Sequence, residues 1–151
     1  MSFRRYLLAS RSPRRLELLQ QVVHPTLIEV RPPASADEAG FADCGNLDAI
    51  KSRLLEIARH KAELVRADLN AEESALHERP RTLLIAADTT VIVTGDTPIV
   101  LGQPPENDDW REVVSDWFRK HYAGQTHSAL TAVHVVTPDG RSAEQVVETK
   151  V

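Results

Sequence analysis

The chain has 151 residues, of which 42% are hydrophobic and 26% are charged, values that are ordinary for a soluble globular protein. Its formal net charge of −4 argues against a general nucleic-acid binder, because such proteins are usually basic. No apolar run approaches the ~18 residues that a membrane span needs. Cys44 is the single cysteine and excludes an internal disulfide. We expect one domain over residues 1–151, in the reducing cytoplasm, with neither a membrane nor a nucleic-acid polymer as partner.

The first predicted elements are a strand over residues 6–9 and a helix that follows Ser12. Ser12 is a suitable N-cap and Pro13 a suitable first helical residue. Arg14 and Arg15 stand in the first turn, where the helix dipole disfavours cations. Backbone N–H groups and two guanidinium groups at a helix start suit a phosphate chain. A solvated basic patch or an organelle-targeting segment remains an alternative, because five arginines precede the first acid.

A second strand is predicted over residues 25–31, with Leu27 in its core, followed by a polar loop that carries Glu38. Asn46 or Asp48 can cap a long helix that ends near Arg66. The expected core face of this helix consists of Ile50, Leu54, Ile57, Ala58, Leu64 and Val65.

Lys61 falls on the same face of the predicted helix. A lysine that points inward needs an anionic partner, or its long stem must carry the ammonium out to solvent. The residues of the helix alone leave both alternatives open.

The polar segment 68–81 reads as an inserted surface loop, with a short helix as an alternative for part of it. Residues 82–93 then form the most strand-like run of the chain. Asp88 lies in the middle of that strand, where a carboxylate cannot stay buried without a partner. It is either a satisfied structural residue or an acid delivered to a ligand site at the end of a sheet strand.

The rest of the chain reads as a hairpin, a helix and two further strands. A turn at residues 95–96 leads into a strand over 98–101. Asp108 is expected to cap an amphipathic helix whose stripe of Trp110, Trp117 and Phe118 is expected in the core. A turn at 138–140 separates the last two strands.

The segment S-R-S-P-R-R-L-E-L-L resembles the opening motif of the Maf (septum formation inhibitor) family of nucleoside triphosphate pyrophosphatases. Further similar segments follow in the family's order and extend the resemblance over residues 6–151: I-A-R-H-K-A-E-L-V, A-D-T-T-V-I-V, L-G-Q-P and A-G-Q-T-H-S-A-L-T-A-V-H-V-V. The resemblance implies an α/β fold, namely a mixed twisted sheet with flanking helices and a central cleft between two lobes.

The resemblance also implies the chemistry of the site. Asp88 is expected to be a catalytic and metal-linked acid, with Glu38 as a second ligand of Mg²⁺ or Mn²⁺. Lys61, Arg14 and Arg15 are expected to act in catalysis and to bind the phosphates of a nucleoside triphosphate. The remaining residues expected to contact phosphate are Ser10, Ser12 and Gln103.

Two departures from the family pattern bear on activity. Gln103 stands where the family has a lysine, so an amide replaces a cation. The family's C-terminal segment, which helps to close the cleft and to read the base, is expected to be lacking.

The motif A-D-T-T-V-I-V is closer to family members that act on dTTP and UTP. The alternative function is that of a catalytically impaired nucleotide-binding or cell-division regulatory protein. The family often forms homodimers, so the resemblance also allows a homodimer with either function.

Overall fold

A computed structural model of the protein describes residues 3–34, 40–73, 81–95, 97–105 and 107–151. The helices are α1 (Pro13–Gln20), α2 (Leu47–Glu73) and α3 (Trp110–Trp117). The strands are β1 (Arg5–Ala9), β2 (Ile28–Val30), β3 (Thr82–Val93), β4 (Ile99–Leu101), β5 (Ser128–Val136) and β6 (Ser142–Lys150). Of the described helices, none combines the length and the apolar composition that crossing a bilayer requires.

The strands form one mixed sheet in the order β2-β1-β3-β5-β6. β1 pairs in parallel with β2 and β3, whereas β5 is antiparallel to both β3 and β6. β4 forms an antiparallel hairpin with the end of β3, on the edge that β1 occupies earlier in the strand. The predicted α/β class, with a mixed sheet and flanking helices, is confirmed. The central cleft between two lobes stays a prediction.

Helix α2 covers one face of the sheet and supplies one side of the hydrophobic core. Asn46 caps it, since its Oδ1 accepts the Ala49 N–H at 2.9 Å. The helix residues of the predicted face are buried, apart from Leu64, which is half-buried. Four residues of this face pack in two clusters against alternate residues of β1, β3 and β5, because successive strand side chains point to opposite faces; these four are Ile50, Leu54, Ala58 and Val65. The facing strand residues are Leu7, Ala9, Leu84, Ala86, Ile92, Leu130, Ala132 and Val136.

The predicted end of α2 near Arg66 is wrong, because the helix continues to Glu73. Leu69 lies four residues after Val65 and extends the buried stripe by a further turn, with 8% of its surface exposed. Residues 68–73 of the predicted inserted loop are therefore helical, and residue 81 precedes β3. Residues 74–80 of that loop lie outside the described part of the chain.

The predicted strand over residues 25–31 is shorter in the structure. Pro25–Leu27 form a 3-10 turn, and the strand β2 contains only Ile28–Val30. The turn is favoured by the fixed φ of Pro25 and by the His24 ring, whose Nδ1 accepts the Thr26 N–H. Leu27, predicted at the centre of the strand, lies in the turn instead and is 37% exposed.

Helix α3 also differs from its prediction. It begins at Trp110 after Asp109, whose side chain makes no capping bond, so Asp108 is not the cap. None of its residues is buried, and Trp110 is 44% exposed. The apolar stripe lies outside the core because α3 makes its main contact, among the described residues, with the π-helical turn Phe118–Tyr122 that continues it.

Candidate active site

The site lies at a gap on one edge of β3. β1 pairs with β3 as far as Ala86, and β4 begins to pair at Val91. Over residues 87–90, which lie between these two pairings, β3 pairs only with β5 among the described residues. The chain leaves β1 at Ala9 and starts α1 at Pro13 beside this gap. Polar side chains from three elements can therefore meet here without interrupting the sheet.

Asp88 and Lys61 form the centre of the site. Asp88 shares the α2-facing side of β3 with Ala86 and Thr90, and its Oδ1 lies 2.7 Å from the Lys61 Nζ. The two side chains are 11% and 12% exposed. The inward-pointing Lys61 side chain is thus paired with an acid on the sheet, and its stem does not carry the ammonium out to solvent. Asp88 gains the partner that its position in the strand requires.

Arg15 approaches the same carboxylate from α1. Its Nη1 donates to Ser10 Oγ at 3.0 Å and its Nη2 donates to Thr89 Oγ1 at 3.2 Å. The same Nη2 lies 4.0 Å from Asp88 Oδ1. Ser10 is buried, with 4% of its surface exposed, and its Oγ also accepts the Ser12 N–H at 3.2 Å. One carboxylate is therefore placed between two cations, and one of these cations is fixed by hydroxyl groups.

The other predicted site residues are placed differently. Ser12 occupies the N-cap position of α1, as predicted, but its side chain makes no capping bond. Arg14 is exposed and makes no ion pair with the described residues. Gln103 is exposed two residues after β4 ends and makes no hydrogen bond within the described ranges. Glu38 lies outside the described residues. The structure brings together Ser10, Arg15, Lys61 and Asp88.

Sequence reasoning missed two hydroxyl groups beside this cluster. Thr89 contacts Arg15, and its Oγ1 lies 3.1 Å from Thr131 Oγ1 on β5. Thr89 directly follows Asp88 in the sequence, so its proximity to the site could have been predicted from the sequence. Thr131 lies 42 residues further along the chain and meets Thr89 only through the register of β3 with β5. No sequence pattern specifies that register.

Asp88 is the candidate metal ligand in this cluster. Within the described ranges, no group of three His, Cys, Asp or Glu side chains is arranged to hold a metal ion. Asp88 contributes one carboxylate with hard oxygen donors, the type that Mg²⁺ prefers. A magnesium ion that is bound with a triphosphate needs only one or two protein carboxylates, so this donor set fits such an ion and does not resemble an all-protein cage.

The fold and the described part of the cluster define an α/β protein in which the cations of Arg15 and Lys61 meet the Asp88 carboxylate beside the carboxyl end of a parallel strand. The chain belongs to the Maf-like protein family, whose model matches residues 5–151. It is 37% identical over 134 residues to a dTTP/UTP pyrophosphatase of Burkholderia lata, covering 88% of this chain and 57% of that protein. A dTTP/UTP pyrophosphatase of Caulobacter vibrioides is 35% identical over 145 residues, with 95% and 62% covered.

A third relative, a dTTP/UTP pyrophosphatase of Bordetella parapertussis, is 36% identical over 148 residues, covering 97% of this chain and 63% of that protein. The chain therefore spans about three fifths of the length of these curated relatives. Among solved structures, the nucleoside-triphosphatase (dITP/XTP pyrophosphatase) of Mycobacterium abscessus matches with a TM-score of 0.47 at 16% identity, covering 97% of this chain and 72% of that one. The Ham1 protein of Staphylococcus aureus matches with a TM-score of 0.48 at 12% identity, with 97% and 70% covered.

Proposed function

We propose that the protein is a nucleoside triphosphate pyrophosphatase that converts a nucleoside triphosphate to the monophosphate and pyrophosphate, with a preference of the dTTP/UTP type. The observation that carries this proposal is the Asp88 carboxylate, with the Lys61 ammonium at 2.7 Å and the Arg15 guanidinium at 4.0 Å, in a member of the Maf-like family. The dTTP/UTP preference draws on the names of the relatives. The cellular role would be the removal of excess or non-canonical nucleotides in the cytoplasm.

The triphosphate is a highly charged anion, so its binding needs several cations and directed donors. Arg15 and Lys61 would face it from the two sides of Asp88, and Arg14 extends into solvent from the same helix turn. An arginine can hold two phosphate oxygens at once, which orients as well as attracts the ligand. Because the Ser12 side chain does not cap α1, a phosphate oxygen is a suitable acceptor for amides of the first turn. Ser10 supplies a further hydroxyl.

In the proposed reaction, a water oxygen bonds to the α-phosphorus while the bond from that phosphorus to the bridging oxygen breaks. Pyrophosphate leaves with the bonding electron pair, and the monophosphate retains the oxygen of the water. Asp88 would accept the proton that the water loses. Asp88 and Glu38 would hold Mg²⁺ or Mn²⁺ together with phosphate oxygens. When bound, the ion neutralises phosphate charge and acidifies a coordinated water.

A second candidate is a nucleotide-binding protein with impaired catalysis, which would act as a regulator, for example in cell division. The specific observation in its favour is Gln103, an exposed amide at the position where the resemblance expects a lysine. An amide forms hydrogen bonds to phosphate but does not neutralise its charge. We also propose a homodimer, which is compatible with either function. Sedimentation equilibrium would measure its mass.

The test is the release of pyrophosphate from dTTP, UTP, CTP and GTP in the presence of Mg²⁺ or Mn²⁺. We expect release from dTTP and UTP, and its loss in Asp88→Asn. The matched control is Asp108→Asn, the same substitution at an exposed residue before α3, which should keep full activity. Triphosphate binding without release, measured by calorimetry, would support the regulatory alternative. Release that persists in Asp88→Asn would contradict the assigned role of this acid.

A further inference from the structure

The two threonines of the site lie on neighbouring strands at the same level. Thr89 of β3 and Thr131 of β5 are directly opposite in an antiparallel ladder, so their side chains share one face of the sheet. Their hydroxyl oxygens are 3.1 Å apart. This face is opposite to the one that packs against α2, since Asp88 and Thr90 point towards the helix. The threonine pair therefore lies beside the core and not within it.

The Thr89 hydroxyl has a defined task in this arrangement. It accepts a hydrogen bond from Arg15 Nη2 at 3.2 Å, and an arginine can only donate. The hydroxyl proton of Thr89 must therefore point elsewhere, and Thr131 Oγ1 is within hydrogen-bonding distance of it. Donation from Thr89 to Thr131 turns an acceptor lone pair of Thr89 towards Arg15. Either hydroxyl can be the donor of this bond, and in both directions the Thr131 oxygen restricts the rotation of the Thr89 hydroxyl that accepts from Arg15.

We propose that Thr131 is a positioning residue that fixes the Arg15 guanidinium beside Asp88 by orienting the Thr89 hydroxyl. The inference rests on the proposed function, in which Arg15 binds phosphate. Arg15 is anchored at Nη1 by the buried Ser10 and at Nη2 by Thr89. Two hydroxyl anchors on different nitrogens help to define the plane of the guanidinium, and the loss of one of them loosens that plane. The plane matters because bidentate phosphate binding depends on it.

The variants are chosen to separate this role from a contribution to the sheet. Thr131→Val removes the hydroxyl and keeps the branched shape, and Thr131→Ser restores the hydroxyl. The matched control is Thr149→Val on β6, because Thr149 is exposed on the same face and its hydroxyl makes no hydrogen bond with the described residues. A loss of activity that is due only to strand chemistry would occur in both valine variants.

The kinetic readout is kcat and KM for dTTP. We expect Thr131→Val to lower kcat about tenfold, with a smaller change in KM, because a misplaced group acts mainly on the transition state. Thr131→Ser should stay within about twofold of the wild type, and Thr149→Val should match it. In an Arg15→Lys background, Thr131→Val should have no further effect, because its action passes through Arg15.

A second readout does not depend on activity. The rotation of the Arg15 guanidinium about its Nε–Cζ bond is measurable by nitrogen-15 NMR, with Arg15→Lys to assign the signal. We expect faster rotation in Thr131→Val and wild-type rotation in Thr131→Ser and Thr149→Val. Unchanged rotation together with unchanged kcat in Thr131→Val would overturn the positioning role and leave the proposed function intact. Absence of pyrophosphate release from the wild type would instead overturn the proposed function, while the rotation rates still decide the role of Thr131.

Discussion

Replacing Lys61 by methionine tests the pair at the centre of the site. The substitution keeps an apolar stem and removes the ammonium that lies 2.7 Å from Asp88 Oδ1. Breaking a fully buried pair costs about 3–5 kcal/mol, whereas an exposed pair contributes about 0–1 kcal/mol. The two side chains here are 12% and 11% exposed, and Arg15 remains 4.0 Å from the same oxygen. We therefore expect Lys61→Met to lower the free energy of unfolding by about 2 kcal/mol.

The assay is urea unfolding of the wild type, Lys61→Met, Asp88→Asn and the double variant. A coupling energy of about 1–2 kcal/mol is expected between the two substitutions. The matched control is Lys51→Met on the same helix, whose pair with Glu148 is longer, at 3.4 Å, and more exposed. It should change stability by less than about 1 kcal/mol. Pyrophosphate release by Lys61→Met should fall about hundredfold. Zero coupling together with full activity would refute the reasoning.

Three further predictions concern single residues. Gln103→Lys should raise kcat/KM for dTTP about tenfold, because a cation replaces an amide at a position that we propose to contact phosphate, while the neutral Gln103→Met should give no gain. Equal effects of the two variants would contradict this reason. Asn46→Ala should lower the free energy of unfolding by about 1 kcal/mol, because it removes the acceptor of the Ala49 N–H, whereas Asn46→Asp should retain the cap. Urea unfolding measures both variants, and an unchanged midpoint in Asn46→Ala would show that the cap contributes nothing. The Arg59 guanidinium holds the pKa of the Glu144 carboxyl below its ordinary value of 4.5. This carboxylate therefore stabilises the fold at neutral pH, and the contribution is lost as the pH falls below that value. Urea midpoints measured from about pH 7 to pH 3 should fall less steeply for Glu144→Gln than for the wild type, and parallel curves would contradict the assignment.

Patterns with a local physical cause were predicted closely. The bounds of β3 at Thr82–Val93 follow from an apolar and β-branched run that only Asp88 interrupts, and the start of α2 follows from a capping residue, Asn46. The inward position of Lys61 follows from helical spacing. Each of these features depends on residues that are close together in the sequence, so the sequence suffices to locate it.

Features that depend on distant contacts were predicted less well. The end of α2 shifted to Glu73 because Leu69 finds a place in the core, which its own segment does not indicate. The stripe around Trp110 reads as core by periodicity, but the described residues do not cover it. The contact of Thr131 with Thr89 depends on strand register alone. Periodicity identifies an apolar face, but only the tertiary arrangement decides what packs against it.

The most direct test of the central claim follows the oxygen atom of the attacking water. Wild-type protein is incubated with dTTP and Mg²⁺ in water enriched in oxygen-18, and phosphorus-31 NMR locates the label in the products. We expect dTMP and pyrophosphate, with the label bonded to the phosphorus of dTMP. Label in pyrophosphate, or the formation of dTDP and labelled orthophosphate, would contradict attack at the α-phosphorus beside Asp88.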